Sequence, residues 1–200
     1  MSKEFEKTIV YSALEVANIC GVANQTAINW IRNGYLKAYS TPGGQYRVYA
    51  DDLVTAGLTF AAEKAAVHYL ERSEQSRYLL TIKLKKKEYT ERAIAKALDY
   101  LGERGFLSDV RYAQAWLRNR SINHAEGRNR LLSGLLAKGI DRKIASAALD
   151  EYFESVSQED VLERAIEKCH RLGKSQEATE KYLLRNGFSY KEIKSKISKI

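Results

Sequence analysis

Laid upon itself, the sequence repeats at about fifty residues, and this period constrains the fold more than any other feature. Leu84-Lys85-Lys86-Lys87-Glu88-Tyr89, Leu135-Leu136-Ala137-Lys138-Gly139-Ile140 and Leu184-Arg185-Asn186-Gly187-Phe188 share one pattern. A helix ends on basic or polar residues, glycine or a substitute follows, and an apolar anchor comes next. The anchors Tyr89, Ile140 and Phe188 are 51 and 48 residues apart. A helical pattern at this period implies stacked units, each burying its open face against a neighbour.

Each unit reads as three helices, over about 62–106, 107–155 and 156–200. In the first, Ala66, Tyr69 and Leu70 mark the opening helix and Ile94, Leu98 and Leu101 the last. The second opens after Gly105, a helix C-terminal glycine, with Ser108 or Asp109 as N-cap. Tyr112, Ala113, Trp116 and Leu117 then share one helix face and are expected in the core, leaving Arg111, Arg118 and Arg120 outside. The third opens at Gln158-Glu159-Asp160, carries Val161, Leu162, Ala165 and Ile166, and closes with Ile193, Ile197 and Ile200.

Residues 1–58 follow other rules. Thr8-Ile9-Val10-Tyr11 is a β-prone run, and Ser12-Ala13-Leu14-Glu15 is a capping-box pattern. Leu14, Val16, Ala17 and Ile19 should give that helix its buried side, and Cys20-Gly21-Val22 should stop it. A second helix is expected over 25–32, capped by Asn24, with Ala27, Ile28, Trp30 and Ile31 inward and Gln25, Thr26, Asn29 and Arg32 outward. Tyr35–Tyr39 and Gln45–Tyr49 read as strands across the turn Ser40-Thr41-Pro42-Gly43-Gly44, and Asp51 or Asp52 as the cap of a short helix through Leu53 and Leu58. The lack of proline and glycine over 60–64 favours a continuous helix there over a linker.

This order of helix, turn, helix, wing and helix, with Trp30-Ile31-Arg32-Asn33-Gly34-Tyr35-Leu36 and Thr41-Pro42-Gly43-Gly44-Gln45-Tyr46-Arg47, resembles the MerR/excisionase-type winged helix-turn-helix. The resemblance implies that Gln25, Thr26, Asn29 and Arg32 meet bases or phosphates in the major groove, and that Arg47 and Tyr46 hold the duplex from the wing. Asn and Gln suit adenine and Arg suits guanine in such a groove. Five Lys/Arg offset five Asp/Glu in this segment, so its electrostatic pull on DNA is weak.

The second resemblance covers about 140 residues. Tyr69-Leu70-Glu71-Arg72-Ser73-Glu74-Gln75-Ser76-Arg77, Gly105-Phe106-Leu107-Ser108-Asp109 with Tyr112-Ala113 and Trp116-Leu117-Arg118-Asn119-Arg120, and Gly127-Arg128 with Leu131-Leu132 are similar to RecX, the family that modulates RecA recombinase filaments. It implies tandem three-helix repeats that lie in the filament groove. Glu88 departs from the pattern, standing where the first repeat would have glycine.

Charge supports a polyanionic partner for this second part, because the whole excess of +8 falls beyond residue 58. Between Lys83 and Arg130 stand twelve Lys/Arg against six Asp/Glu. Lys83, Lys85, Lys86, Lys87, Arg111, Arg118, Arg120, Arg128 and Arg130 are the candidates for contact with filament or phosphate. The competing reading is a solvated helix surface with i,i+4 pairs.

Catalysis finds no support: phosphate-binding glycine loops and nucleophile turns are absent, and Cys169-His170, His68 and His124 lack metal-ligand spacing. Cys20 and Cys169 are expected as buried, reduced thiols. No apolar run suits a membrane span or signal peptide. The sequence therefore points to a mainly α chain, with a winged helix-turn-helix head at 1–58 and an array of three three-helix repeats at 59–200. The expected function is a cytoplasmic, monomeric, cofactor-free regulator of recombination that binds and inhibits RecA-type filaments. One alternative is a site-specific transcription or excision factor whose array is a protein-interaction module; another is a DNA-bridging protein without sequence preference.

Overall fold

The computed structural model describes residues 9–197. Thr8, Ile200 and the side chain of Ile197, all invoked above, lie outside the described residues. Eleven helices and one three-stranded sheet occur among the described residues, giving the mainly α architecture expected. Two compact units divide them: one runs through Val67 and includes Leu84–Leu101, and the other holds His68–Lys83 and the chain from Gly102 onward.

The first unit begins with β1 (Val10–Ser12), α1 (Ala13–Cys20), α2 (Asn24–Arg32), β2 (Tyr39–Ser40), β3 (Tyr46–Tyr49) and α3 (Ala50–Leu70). The capping box forms: the Ser12 N–H donates to Glu15 Oε2 at 2.7 Å and the Glu15 N–H to Ser12 Oγ at 3.2 Å. The Ser12 N–H, and with it the Ser12 hydroxyl, which also donates to Glu15 Oε2, hold the Glu15 carboxyl below its usual pKa. Gly21 closes α1 in the left-handed conformation, φ 65°. β3 is the central strand, antiparallel to β1 (Tyr11 opposite Val48) and to β2 (Tyr39 opposite Arg47). The core here is Val16, Ala17, Ala27, Leu36 and Val48, with Trp30 and Ile31 packed against it.

Several local expectations change. Leu14 and Ile19 are exposed, because α1 has only two turns and its buried strip is as narrow as Val16 and Ala17. Cys20, at its end, is an exposed free thiol; Cys169 is free and buried as expected. Ala23, not Asn24, is the N-cap of α2, and no side chain caps that end. The first wing strand shrinks from 35–39 to Tyr39–Ser40, since Leu36 is drawn into the core and its N–H donates to Trp30 O. The short helix expected near Leu53 is instead the first part of α3, which continues unbroken through 60–64.

The three-helix units follow as the end of α3 with α4 (Arg77–Lys85) and α5 (Glu91–Glu103), then α6 (Asp109–Asn123), α7 (Arg128–Leu136) and α8 (Arg142–Ser155), then α9 (Gln158–Arg171), α10 (Gln176–Arg185) and α11 (Tyr190–Ile197). The middle core gathers Tyr112, Ala113, Leu117, Leu131, Leu135, Ile140 and Leu149, with Trp116 against it. A Cβ on Gly134 would lie 2.5 Å from the Trp116 ring, so that indole lies directly on the α7 backbone. Val161, Leu162, Ala165, Ile166, Leu183, Phe188 and Ile193 form the next core.

The repeat seen in the sequence has a backbone cause. The second helix of every unit ends in the same pair of bonds: Glu88 N–H to Lys85 O and Tyr89 N–H to Leu84 O, Gly139 to Leu136 and Ile140 to Leu135, Gly187 to Leu184 and Phe188 to Leu183. This C-terminal motif requires a left-handed residue, supplied at φ 64°, 75° and 86° by Glu88, Gly139 and Gly187. In the second compact unit these ends are also docking points. The start of α4 bears on the end of α7, where Ser76 Oγ donates to Lys138 O at 2.7 Å. The start of α7 bears on the end of α10, where Gly127 N–H donates to Asn186 O at 2.8 Å. A Cβ on Gly139 would fall 2.2 Å from Tyr78 Cβ, and one on Gly187 2.2 Å from Arg130 N. Glu88 is exposed, so it meets the conformational demand alone, at about 1–2 kcal/mol.

Gly187→Ala is therefore expected to destabilise the chain by about 3 kcal/mol or more, combining left-handed strain with backbone overlap. Gly105→Ala, with φ 74° and open space around it, should cost only about 1–2 kcal/mol. Urea unfolding of the two variants checks this; equal losses would show that close approach contributes nothing.

Candidate nucleic-acid and partner surfaces

The head presents two candidate DNA-contact elements. On α2, burial of Ala27 leaves Gln25, Asn29 and Arg32 exposed, with Thr26 half-buried. Gln25 Nε2 donates to Asn29 Oδ1 at 3.0 Å, which aligns the two amides along one helix face. On the wing, Gly44 (φ 75°) lets the chain reverse, and Thr41 Oγ1 accepts from the Gln45 N–H at 3.2 Å. Arg47 and Tyr46 are half-buried, and the Arg47 guanidinium folds back to donate to Gln45 Oε1 at 3.1 Å and Tyr46 O at 3.3 Å. Its head must leave these neutral acceptors to reach a phosphate. A feature that the sequence reading missed is the exposed pair Tyr39 and Tyr49, ring centroids 5.3 Å apart. Strand alternation puts Arg47 and Tyr49 on one face of β3, which was the available signal.

The basic residues of the array separate into classes once their partners are visible. Lys83 donates to Gln75 Oε1 at 2.7 Å and lies over the Tyr69 ring at 4.7 Å. Lys85 pairs with Glu91 at 2.6 Å, Arg128 with Asp150 at 2.6 Å, and Arg111 with Glu74 at 2.7 Å while also donating to Phe106 O. Exposed pairs of this kind contribute about 0–1 kcal/mol, so a polyanion can displace them. Lys87 is exposed, and Lys86 and Arg118 are exposed with side chains unpaired among the described residues.

Arg120 differs. Its Nε and Nη2 donate to the two oxygens of Glu126 at 2.6 and 2.9 Å, and Glu126 is only 6% exposed. The carboxylate holds the Arg120 guanidinium above its usual pKa, and Arg130 approaches the same group at 3.7 Å. The Arg120 guanidinium also stacks over Trp116 at 5.3 Å. This clamp ties the end of α6 to the segment entering α7, where Gly127 docks on the end of α10. Arg120 is thus committed to structure where the sequence left it as a contact candidate. Glu126 was missed, although it stands 51 residues after Gln75, which is also buried.

Together, a winged helix-turn-helix and docked three-helix units define a helical-repeat protein with a helix-turn-helix head. Family models for RecX match here: the first three-helix domain at residues 62–101 and the second at 108–149, with a helix-turn-helix domain model at 10–55. The regulatory protein RecX of Treponema pallidum strain Nichols is 35% identical over 130 residues, covering 65% of this chain and 79% of that protein. That of Clostridium acetobutylicum is 28% identical over 156 residues, covering 72% and 71%. The crystal structure of RecX from Lactobacillus salivarius superposes with a TM-score of 0.62 at 26% identity, over 72% of this chain and 97% of that one. The chain belongs to the RecX family and carries a helix-turn-helix domain at its N-terminal side. No helix among the described residues is long and apolar enough to cross a membrane.

Arg120→Ala leaves the Glu126 carboxylate buried with only the more distant Arg130, and is expected to cost about 2–3 kcal/mol. Arg118→Ala should stay within about 0.5 kcal/mol. Thermal unfolding of both variants distinguishes the roles, and equal stability would remove the clamp.

Proposed function

We propose that this chain binds RecA-type recombinase filaments through its three-helix units and restrains them without catalysis, while the head adds contact to duplex DNA. The observation that carries the reading is the match of both RecX three-helix domains to consecutive units of the chain. The units lie in the filament groove and compete for it. Lys86 and Arg118 offer cations at no cost in lost pairs, and Lys83, Lys85, Arg111 and Arg128 exchange weak internal partners for phosphates or acidic side chains. The chain works as a monomer in the cytoplasm, with the head over 1–58 and the array over 59–200.

In the head, Gln25, Asn29 and Arg32 read base edges and Arg47 and Tyr46 hold the backbone from the wing. The balanced charge of the head makes its contribution one of placement more than attraction. A second reading, a site-specific transcription or excision factor, is favoured by that exposed amide and guanidinium face on α2.

The decisive assay is the single-stranded-DNA-dependent ATPase and strand exchange of a RecA-type recombinase with the full chain added. Both should fall, and Lys86→Glu with Arg118→Glu should weaken the effect about tenfold. No change on addition of the wild-type chain would remove the filament reading. Arg47→Ala should lower duplex affinity about three- to tenfold and the salt slope by about one, with the recombinase effect retained. Selection from a random duplex pool tests the second reading; a flat outcome would exclude base reading.

A further inference from the structure

The first compact unit contains a cavity of about 660 Å3 that neither base reading nor filament binding requires. Its volume lies within the range of small-molecule sites. α2 contributes Asn29 and Trp30, the turn after it Tyr35, α3 Phe60 and Glu63, and α5 Tyr100. The Tyr35 and Tyr100 rings meet edge-on, centroids 5.3 Å apart, so the turn after α2 and helix α5 are held together beside the space. Phe60 remains 65% exposed although it forms part of an aromatic wall.

The polar groups on the wall are selective. No Lys, Arg or His lines the cavity, in a chain whose formal charge is +8. Glu63 is its one carboxylate, and it has no hydrogen-bond or ion-pair partner among the described residues. Burial pushes that carboxyl above the usual pKa, as expected of a group lacking a counter-charge. An anion here would meet Glu63 with nothing to balance it, and a neutral guest would leave the carboxylate uncompensated. A cation with an apolar body satisfies the carboxylate and gains the faces of the aromatic rings.

We propose that this cavity binds a small apolar organic cation, an aromatic or quaternary amine, with its charge at Glu63 and its body against Trp30, Tyr35, Phe60 and Tyr100. Asn29 belongs both to this wall and to the exposed face of α2, so occupancy weakens duplex binding; that consequence rests on the DNA-binding reading of the head, and the binding itself does not.

Calorimetric titration of the full chain with 4-phenylbutyltrimethylammonium and with 5-phenylpentanoate, which share a tail and oppose in charge, tests the proposal. Saturable one-to-one binding of the ammonium is expected, with the carboxylate at least about tenfold weaker despite the positive net charge of the protein. Glu63→Gln, which keeps shape, and Phe60→Ala, which removes one wall, should each weaken the ammonium about tenfold with unchanged circular dichroism. Absence of saturable ammonium binding at millimolar concentration, equal binding of both probes, or unaltered affinity in Glu63→Gln overturns the site. Ammonium should also lower duplex affinity in the wild type and not in Glu63→Gln. Ammonium binding by a chain that binds no duplex would uphold the cavity and remove only the DNA reading.

Discussion

The start of one helix can rest on the end of another only where that end carries no side chain in the way. Gly127 meets Asn186 and Gly187 backbone to backbone, and at Gly139, one repeat away, the Tyr78 side chain takes the space a Cβ would fill. Each uses a carbonyl at a helix C-terminus as the acceptor for a donor at the start of the neighbouring unit's helix, the Gly127 N–H at Asn186 O and the Ser76 hydroxyl at Lys138 O, so orphan carbonyls of one helix end are satisfied by the next. Because the left-handed residue that ends the helix is also the point of closest approach, glycine meets two demands at Gly139 and Gly187. At Glu88 the turn remains but the residue is exposed, which explains how a glutamate survives in a glycine position.

The clamp between Arg120 and Glu126 belongs to the same junction. It fixes the short segment that delivers Gly127 to the end of α10, in surroundings dry enough that a broken pair would be costly. Basic character in this chain is therefore of two kinds. Guanidinium groups near the junctions hold the units, and lysines and arginines on outward faces remain exchangeable. Net charge by itself cannot separate them, and only the second kind is at liberty to meet a polyanion.

Much of this was legible from residues. The period, the three helix ends, the capping box at Ser12 and Glu15, and the departure at Glu88 all follow from local backbone chemistry, which the sequence encodes directly. What escaped depends on contacts distant in sequence or on element length. Leu14, Ile19 and Cys20 follow a helical stripe, but a two-turn helix cannot bury all of it. The run 35–39 has strand composition, but Leu36 is claimed by the core. Arg120 looked like Arg118 because Glu126, six residues on, bears no local mark of burial. The cavity beside α2 draws on four separate stretches of chain, so no motif announces it. The exposed polar face of α2 was legible, since amphipathic spacing alone sorts Ala27 from Gln25, Asn29 and Arg32.

End-to-end docking is tested most directly by hydrogen exchange of the Gly127 amide in the intact chain, measured against a core amide of the same helix such as Leu135. If the bond to Asn186 O joins the units, Gly127 exchanges only with the opening that exposes Leu135, and the two show similar protection. A Gly127 amide that exchanges as fast as the wing-turn Gly43, while Leu135 stays protected, would contradict the docking of one unit on the next.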